Sequence, residues 1–179
     1  MEAVARLLDG AATLAPALAL GEAAPLLREL TPHVRESVER LICAVPRVAE
    51  HPEFETIARA DGWSLELFRW PRGARTPIHD HTSWGIYVCV AGQLGEERYA
   101  RLDDGSRSGV ARLRSEWRSV WLPGEQSTLL PYDGGIHRVH NAGLSTAVSL
   151  HLYGPRMSEI DGRDYDAQRD FVCDRALAA

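Results

Sequence analysis

Four of the chain's seven histidines fall in segments that read as β-strands: His79 and His81 together, then His137 and His151. Along a strand, residues i and i+2 point to the same face. His79-Asp80-His81 therefore presents two imidazoles to one side and sends Asp80 to the other. Inside a small barrel that geometry supplies two adjacent ligands of an octahedral metal ion. Standing alone, the same pattern is more often a pair of surface histidines. A second constellation follows at Ser149, His151 and Tyr153, which alternate along one segment and so share one strand face. Ser149 can orient the His151 ring through one nitrogen while the other nitrogen reaches the phenol of Tyr153. Such an arrangement holds a tyrosine proton for transfer or hydrogen bonding. The alternative is a core strand whose inner face happens to be polar, and Val148, Leu150 and Leu152 on the other face suit both readings.

The elements that must carry these residues differ along the chain. The first fifty residues, rich in Ala, Leu, Glu and Arg, read as helices closed by Pro46 and His51-Pro52. Thr31 is expected as an N-cap with Pro32 at the first helical position. Val34, Val38, Leu41 and Val45 then recur at helical spacing. From Trp63 the texture changes to short alternating segments separated by Gly, Pro and Asp, over 63–70, 85–91, 96–102, 119–122, 127–130, 136–140 and 147–153. Asp103-Asp104-Gly105 is a hairpin signal. Many short strands at this spacing indicate a barrel or jelly roll. The expectation is one domain over 1–179: a helical region over about 1–52, a β-barrel over about 63–155, and a charged tail over 156–179 that wraps the surface.

Composition narrows the partners. Hydrophobic residues at 45% and charged residues at 25% are ordinary for a globular chain. The net charge of −5 comes with no stripe of Lys or Arg, which argues against nucleic acid. Residues 11–20 form an apolar stretch about half a bilayer span long with no basic region before it, so neither a membrane role nor a signal peptide is expected. Cys43, Cys89 and Cys173 are odd in number and widely spaced, unlike a disulfide framework or a CxxC metal site, so a cytoplasmic location is expected. Neither a GxGxxG fingerprint nor a P-loop is present.

The histidines do not stand alone. Gly73, five residues, His79, one, His81, three, Gly85, six, Gly92 resembles the first cupin motif at every position but one, because Gly85 stands where that motif has Glu. The stretch from Pro131 to Asn141 resembles the second motif, with Pro131, Gly134, Gly135, His137 and Asn141 in its roles and the Pro-to-Gly spacing one residue longer. His137 and His140 lie three apart, so only one can face a barrel interior. The motif nominates His137 and leaves His140 outside. The resemblance implies a mainly-β cupin, a small double-stranded β-helix or jelly-roll barrel with an N-terminal helical cap. The expected metal set is His79, His81 and His137, all neutral. A divalent ion there keeps its full charge and about three open positions. It favours an anionic chelating ligand such as a thiolate, whose pKa the metal lowers.

Over roughly 63–155 the chain further resembles the cysteine dioxygenase family of thiol dioxygenases. The residues that carry this are 76–82 (TPIHDHT), Ile136-His137-Arg138-Val139 with Asn141, and 148–153 (VSLHLY). The resemblance implies Fe(2+) on the three histidines, with Ser149, His151 and Tyr153 beside it and the tyrosine hydroxyl assisting at substrate and oxygen. It implies a small thiol and O2 as partners. Both oxygen atoms go to sulfur, and the thiol supplies the four electrons, so no further cofactor is needed. Animal members crosslink a cysteine to the tyrosine. This chain has Gly85 there, and Cys89 four residues on does not substitute, so no thioether is expected. Cysteine-using members place an Arg in a Tyr-x-Arg context, and mercaptopropionate-using members a Gln. This chain offers Phe54-Glu55-Thr56, or Arg59 if the gap falls earlier. Arg156 is a further candidate, and Arg163, near Tyr165, can close over the site. Phe68 and Trp70 share the pocket face of their strand and send Arg69 to the other. A bidentate Arg clamp would contribute a few kcal/mol to specificity. L-Cysteine or a similar thiol acid is the expected substrate. A 3-mercaptopropionate or other mercapto-acid dioxygenase, a non-catalytic ligand-binding cupin and a three-histidine zinc site are the alternatives.

Overall fold

Alternation along the strands decides which side each residue serves. In β2 (Trp63–Trp70), Leu65 and Leu67 point one way and Glu66, Phe68 and Trp70 the other. The same split runs through β4 (Gly85–Ala91) and β9 (Ala147–Tyr153). One face of these three strands carries Leu65, Leu67, Ile86, Val88, Val90, Val148, Leu150 and Leu152. It packs against two helices, α1 (Glu2–Ala12) and α2 (Pro16–Ile42), through Leu8, Ala11, Ala19, Ala23, Ala24, Leu27 and Val38. The opposite face carries Trp70, Tyr87, Cys89 and Ala147, which form a second cluster inside the barrel.

The computed structural model describes residues 2–42, 49–156 and 160–176. The remaining strands are β1 (Glu53–Ala60), β3 (Ile78–His79), β5 (Leu94–Arg101), β6 (Leu113–Trp121), β7 (Gln126–Leu129), β8 (His137–Asn141), β10 (Gly162–Asp166) and β11 (Phe171–Arg175). They form two antiparallel sheets, one ordered β1-β2-β9-β4-β7 and the other β11-β10-β3-β8-β5-β6. The mainly-β barrel with helices before it is as expected. No helix among the described residues is long and apolar enough to cross a membrane.

Two local expectations are corrected. Thr31 does not start a helix: α2 runs through it, with Pro25 and Pro32 both inside. The Thr31 hydroxyl donates to the Leu27 carbonyl at 2.8 Å, the back-bond of a helix interior. The buried stripe on α2 holds the helix together across two missing backbone donors. Leu41 lies on α2 but its side chain is not among those described, and Cys43, Val45 and Pro46 fall outside the described residues. Asp103-Asp104-Gly105 does lie in a hairpin, in the long 102–112 connection between the paired strands β5 and β6, where Asp103 accepts from the backbone of Gly105 and Arg112. The tail does not simply wrap the surface: β10 and β11 form a hairpin that pairs with β3 and extends the sheet bearing His79.

Candidate active site

β3 and β8 are neighbours, and their register sets His79 directly opposite His137, with His81 just beyond the end of β3. The ligand atoms of His79, His81 and His137 all lie within 4.8 Å of one another. Two of the three rings are oriented from behind. His79 Nδ1 donates to the Pro77 carbonyl at 3.1 Å, which leaves its Nε2 lone pair free. His137 Nδ1 donates to Glu96 at 2.9 Å. Glu96, wholly buried, also accepts from Ser127 at 2.8 Å and pairs with Arg98 at 2.8 Å. This is the carboxylate–histidine arrangement that fixes the tautomer of a metal-ligating ring. Nε2 of both His81 and His137 is buried without a hydrogen-bond partner among the described residues. Burial lowers the pKa of all three rings, His79 to about 4, so they are neutral at pH 7. Neutral imidazoles converging with unpartnered buried lone pairs suit a divalent metal ion. His140 lies on the other face of β8 against Gly95, away from this centre.

The second sheet faces the histidines with an ordered polar chain. Trp70 Nε1, which can only donate, reaches Ser149 Oγ at 2.8 Å. Ser149 Oγ lies 2.7 Å from His151 Nε2, and His151 Nδ1 lies 3.0 Å from Tyr153 Oη. One proton order serves every member. Ser149 accepts from Trp70 and donates to Nε2, and Nδ1–H donates to Tyr153. The Tyr153 O–H is then free to donate into the cavity. Burial lowers His151 to about 3 and, with the neighbouring Tyr87, raises Tyr153 far above the usual range, so the chain stays neutral and the phenol protonated. Phe68 stacks on His151 at 4.2 Å and holds its ring plane.

The three histidines, His151 and Tyr153 line one cavity of about 360 Å³, together with Phe68, Trp70 and Arg59. Of the cations considered from sequence, Arg59 borders the cavity with its side chain 62% exposed and 4.0 Å from Glu66. Arg156 also borders it, 3.6 Å from Asp161. Arg69 turns to Glu53 and Glu55 on the outer face. Arg163 corrects the expectation that it closes over the site, since it is not part of the cavity wall. Its backbone N and Nε donate to Asp80 at 2.7 and 2.8 Å, and its guanidinium also reaches Asp133 at 2.8 Å. Trp70 has its indole N–H spent on Ser149, so it anchors the polar chain as well as walling the cavity.

Several residues at the site went unread in sequence. Glu96 and Arg98 sit at inner positions of a strand that looks charged throughout, and only strand parity against His137 marks them. Glu66, buried in the cavity wall with its pKa raised by burial, has inner parity with Phe68 and Trp70. Arg175 comes from the hairpin read as a tail and is paired with Asp161 and Asp164 at 3.1 and 2.6 Å. Cys89 is buried and its thiol pKa is pushed up to about 11, chiefly by burial, which makes it unreactive.

Among solved structures, the chain is similar to a Thermus thermophilus protein (21% identity, TM-score 0.48, 66% of this chain and 94% of that one). It is also similar to an RmlC-like cupin with a double-stranded β-helix fold from Methanocaldococcus jannaschii (13% identity, TM-score 0.44, 63% and 87%). A third is a cupin superfamily protein from Desulfitobacterium hafniense (14% identity, TM-score 0.44, 62% and 84%). The family description of cysteine dioxygenase type I matches residues 55–168, well over half of the chain. That span contains the three converging histidines and the Trp70–Ser149–His151–Tyr153 chain, and with it this cupin belongs to the cysteine dioxygenase type I family.

Proposed function

We propose that this protein is an Fe(II)-dependent thiol dioxygenase that converts a small thiol and O2 to the sulfinic acid, R–SH + O2 → R–SO2H. The observation that carries the reading is the meeting of two sheets. The His81 and Tyr153 rings lie 5.1 Å apart, so a phenol proton from one sheet is presented beside three metal-binding nitrogens from the other. Bound Fe(II) would supply the place where thiolate and O2 come together, and sulfur would give up four electrons as two S–O bonds form. The chain's own residues do the rest. His79, His81 and His137 hold the ion without neutralising it, which favours an anionic sulfur ligand. Tyr153 donates its O–H to an oxygen of the reacting group, and neutral His151 keeps that proton on the phenol side by occupying the oxygen's lone pair. Phe68 and Trp70 exclude water from the polar chain. Arg59, loosely paired at 4.0 Å, is the cation placed to meet a substrate carboxylate.

The test is iron-loaded protein prepared without air and given L-cysteine, 3-mercaptopropionate and mercaptosuccinate. Oxygen uptake matched by sulfinate is expected with at least one of them, and elemental analysis should find iron to be the active metal. His137→Ala should abolish iron retention while His140→Ala leaves it intact. Iron-loaded protein that consumes no oxygen with any small thiol would remove the central claim.

A further inference from the structure

One buried polar group beside the site lacks a hydrogen bond of normal geometry among the described residues. Tyr87 lies on β4 directly opposite His151 and is wholly buried. Its ring is parallel to His137 at 5.5 Å and 9°, lies 4.3 Å from His151, and meets Tyr153 edge-on at 5.7 Å. Its hydroxyl makes no hydrogen bond of normal geometry among the described residues, although Tyr153 stands near enough to act on it as a hydrogen-bond partner. The phenol is seated against Gly85, where a Cβ would lie 2.7 Å from Oη and 3.0 Å from the ring carbon that bears it. Tyr87 thus fills the space that any side chain at residue 85 would need. A Phe would fill that space equally well without burying an unpaired donor.

Tyr153 is the acceptor that this donor approaches. Nε2 of His137 and of His81 belongs to the metal-binding centre, and both nitrogens of His151 are engaged. Tyr153 Oη accepts from His151 and retains a second lone pair. We propose that Tyr87 is a positioning residue for Tyr153. Its O–H donates to Tyr153 Oη once substrate occupies the cavity, so that Tyr153 is held by two donors and its own proton is directed at the substrate complex. This role rests on the thiol dioxygenase reading. It also gives Gly85 a reason in this chain: a larger residue there would displace the phenol.

The test compares Tyr87→Phe, Tyr153→Phe and the double variant, alongside thermal melts of the metal-free proteins. Tyr87→Phe should lower kcat about tenfold, the worth of one hydrogen bond made in the transition state. KM and iron content should stay within about twofold, because the hydroxyl touches neither thiol nor metal. The double variant should be no slower than Tyr153→Phe, since Tyr87 acts through Tyr153. Metal-free Tyr87→Phe should melt at or above the wild-type temperature, a result that a structural hydroxyl would not give. Gly85→Ala should melt lower, and Tyr87→Leu added to it should restore the loss. Full kcat in Tyr87→Phe, multiplying losses in the double variant, or a lowered melt for Tyr87→Phe would each overturn the role. Absence of wild-type turnover with every thiol would instead overturn the functional reading and this role with it.

Discussion

The hydroxyl of Ser149 takes the indole proton of Trp70 and hands its own to His151, over 2.8 and 2.7 Å. Its removal has two separable consequences. Ser149→Ala leaves a buried Trp70 donor and a buried His151 acceptor unpaired, each costing about 1–3 kcal/mol. It also releases the tautomer of His151, so that Tyr153 can spend its proton on Nδ1 rather than in the cavity. We expect a melting temperature several degrees lower and a fall in kcat of at least tenfold, with iron content unchanged because Ser149 does not touch the metal-binding histidines. Tyr153→Phe should lose comparable activity with a smaller stability loss, since it leaves only the His151 Nδ1 donor unpaired. Equal iron loss in Ser149→Ala would mean that the polar chain and the histidine centre are one structural unit. The alternation of Ser149, His151 and Tyr153 was readable because a strand has period two. Trp70 as its first member was not, because Trp70 and Ser149 lie 79 positions apart and are brought together by β2 pairing with β9.

At the scale of elements, β10 and β11 depend on one acidic residue. Asp80 points away from the two histidines that flank it, as alternation required, and is fully buried. It accepts from Arg163 at backbone and side chain and from the Tyr165 hydroxyl at 2.8 Å, while its own carbonyl accepts from Arg175 at 2.7 Å. The residue that lies between two candidate ligands therefore also pins the hairpin to β3. Asp80→Asn strands a partly buried guanidinium and should cost about 3–5 kcal/mol. Because the hairpin and the His79 strand share this pin, proteolysis after Asp166 and loss of iron should appear together. Cleavage with iron retained would show the hairpin to be dispensable. Three strands, over 63–70, 85–91 and 147–153, could be placed to the residue, because their apolar alternation is uninterrupted. The hairpin could not: Gly162–Asp166 and Phe171–Arg175 are mostly polar, with half-buried or exposed side chains, and take their strand form from pairing with β3. The helix start at Thr31 was misread for a related reason, since prolines inside α2 mimic a boundary that packing against the sheet overrides.

On the scale of the whole molecule, the barrel encloses four imidazoles, three buried and His81 half-buried, in a chain of net charge −5. Burial lowers the pKa of His79 to about 4 and of His151 to about 3, and pushes His81 and His137 in the same direction. In the unfolded chain a histidine titrates near 6.5. Between that value and the folded ones the unfolded state binds more protons, so stability rises with pH across this window and is lost as pH falls. At pH 5 each of His79 and His151 withdraws about 2 kcal/mol, since one pH unit is worth 1.36 kcal/mol per group. Together that is roughly 4 kcal/mol, and His81 and His137 add to it with the same sign. A typical domain has only about 5–15 kcal/mol to lose. The metal-free protein should therefore unfold on acidification between about pH 6 and pH 4, with the steepest loss of melting temperature near pH 5. Iron should delay the transition by holding three of the rings unprotonated and then leave in the same step, because each ligand must lose its lone pair to a proton. Melts of metal-free and iron-loaded protein at half-unit pH intervals, with iron measured in the unfolded fraction, test both halves. A metal-free melting temperature that stays level from pH 7 to pH 5 would show that these imidazoles are not held neutral by burial, and the lone pairs assigned to the metal would have to be reassigned.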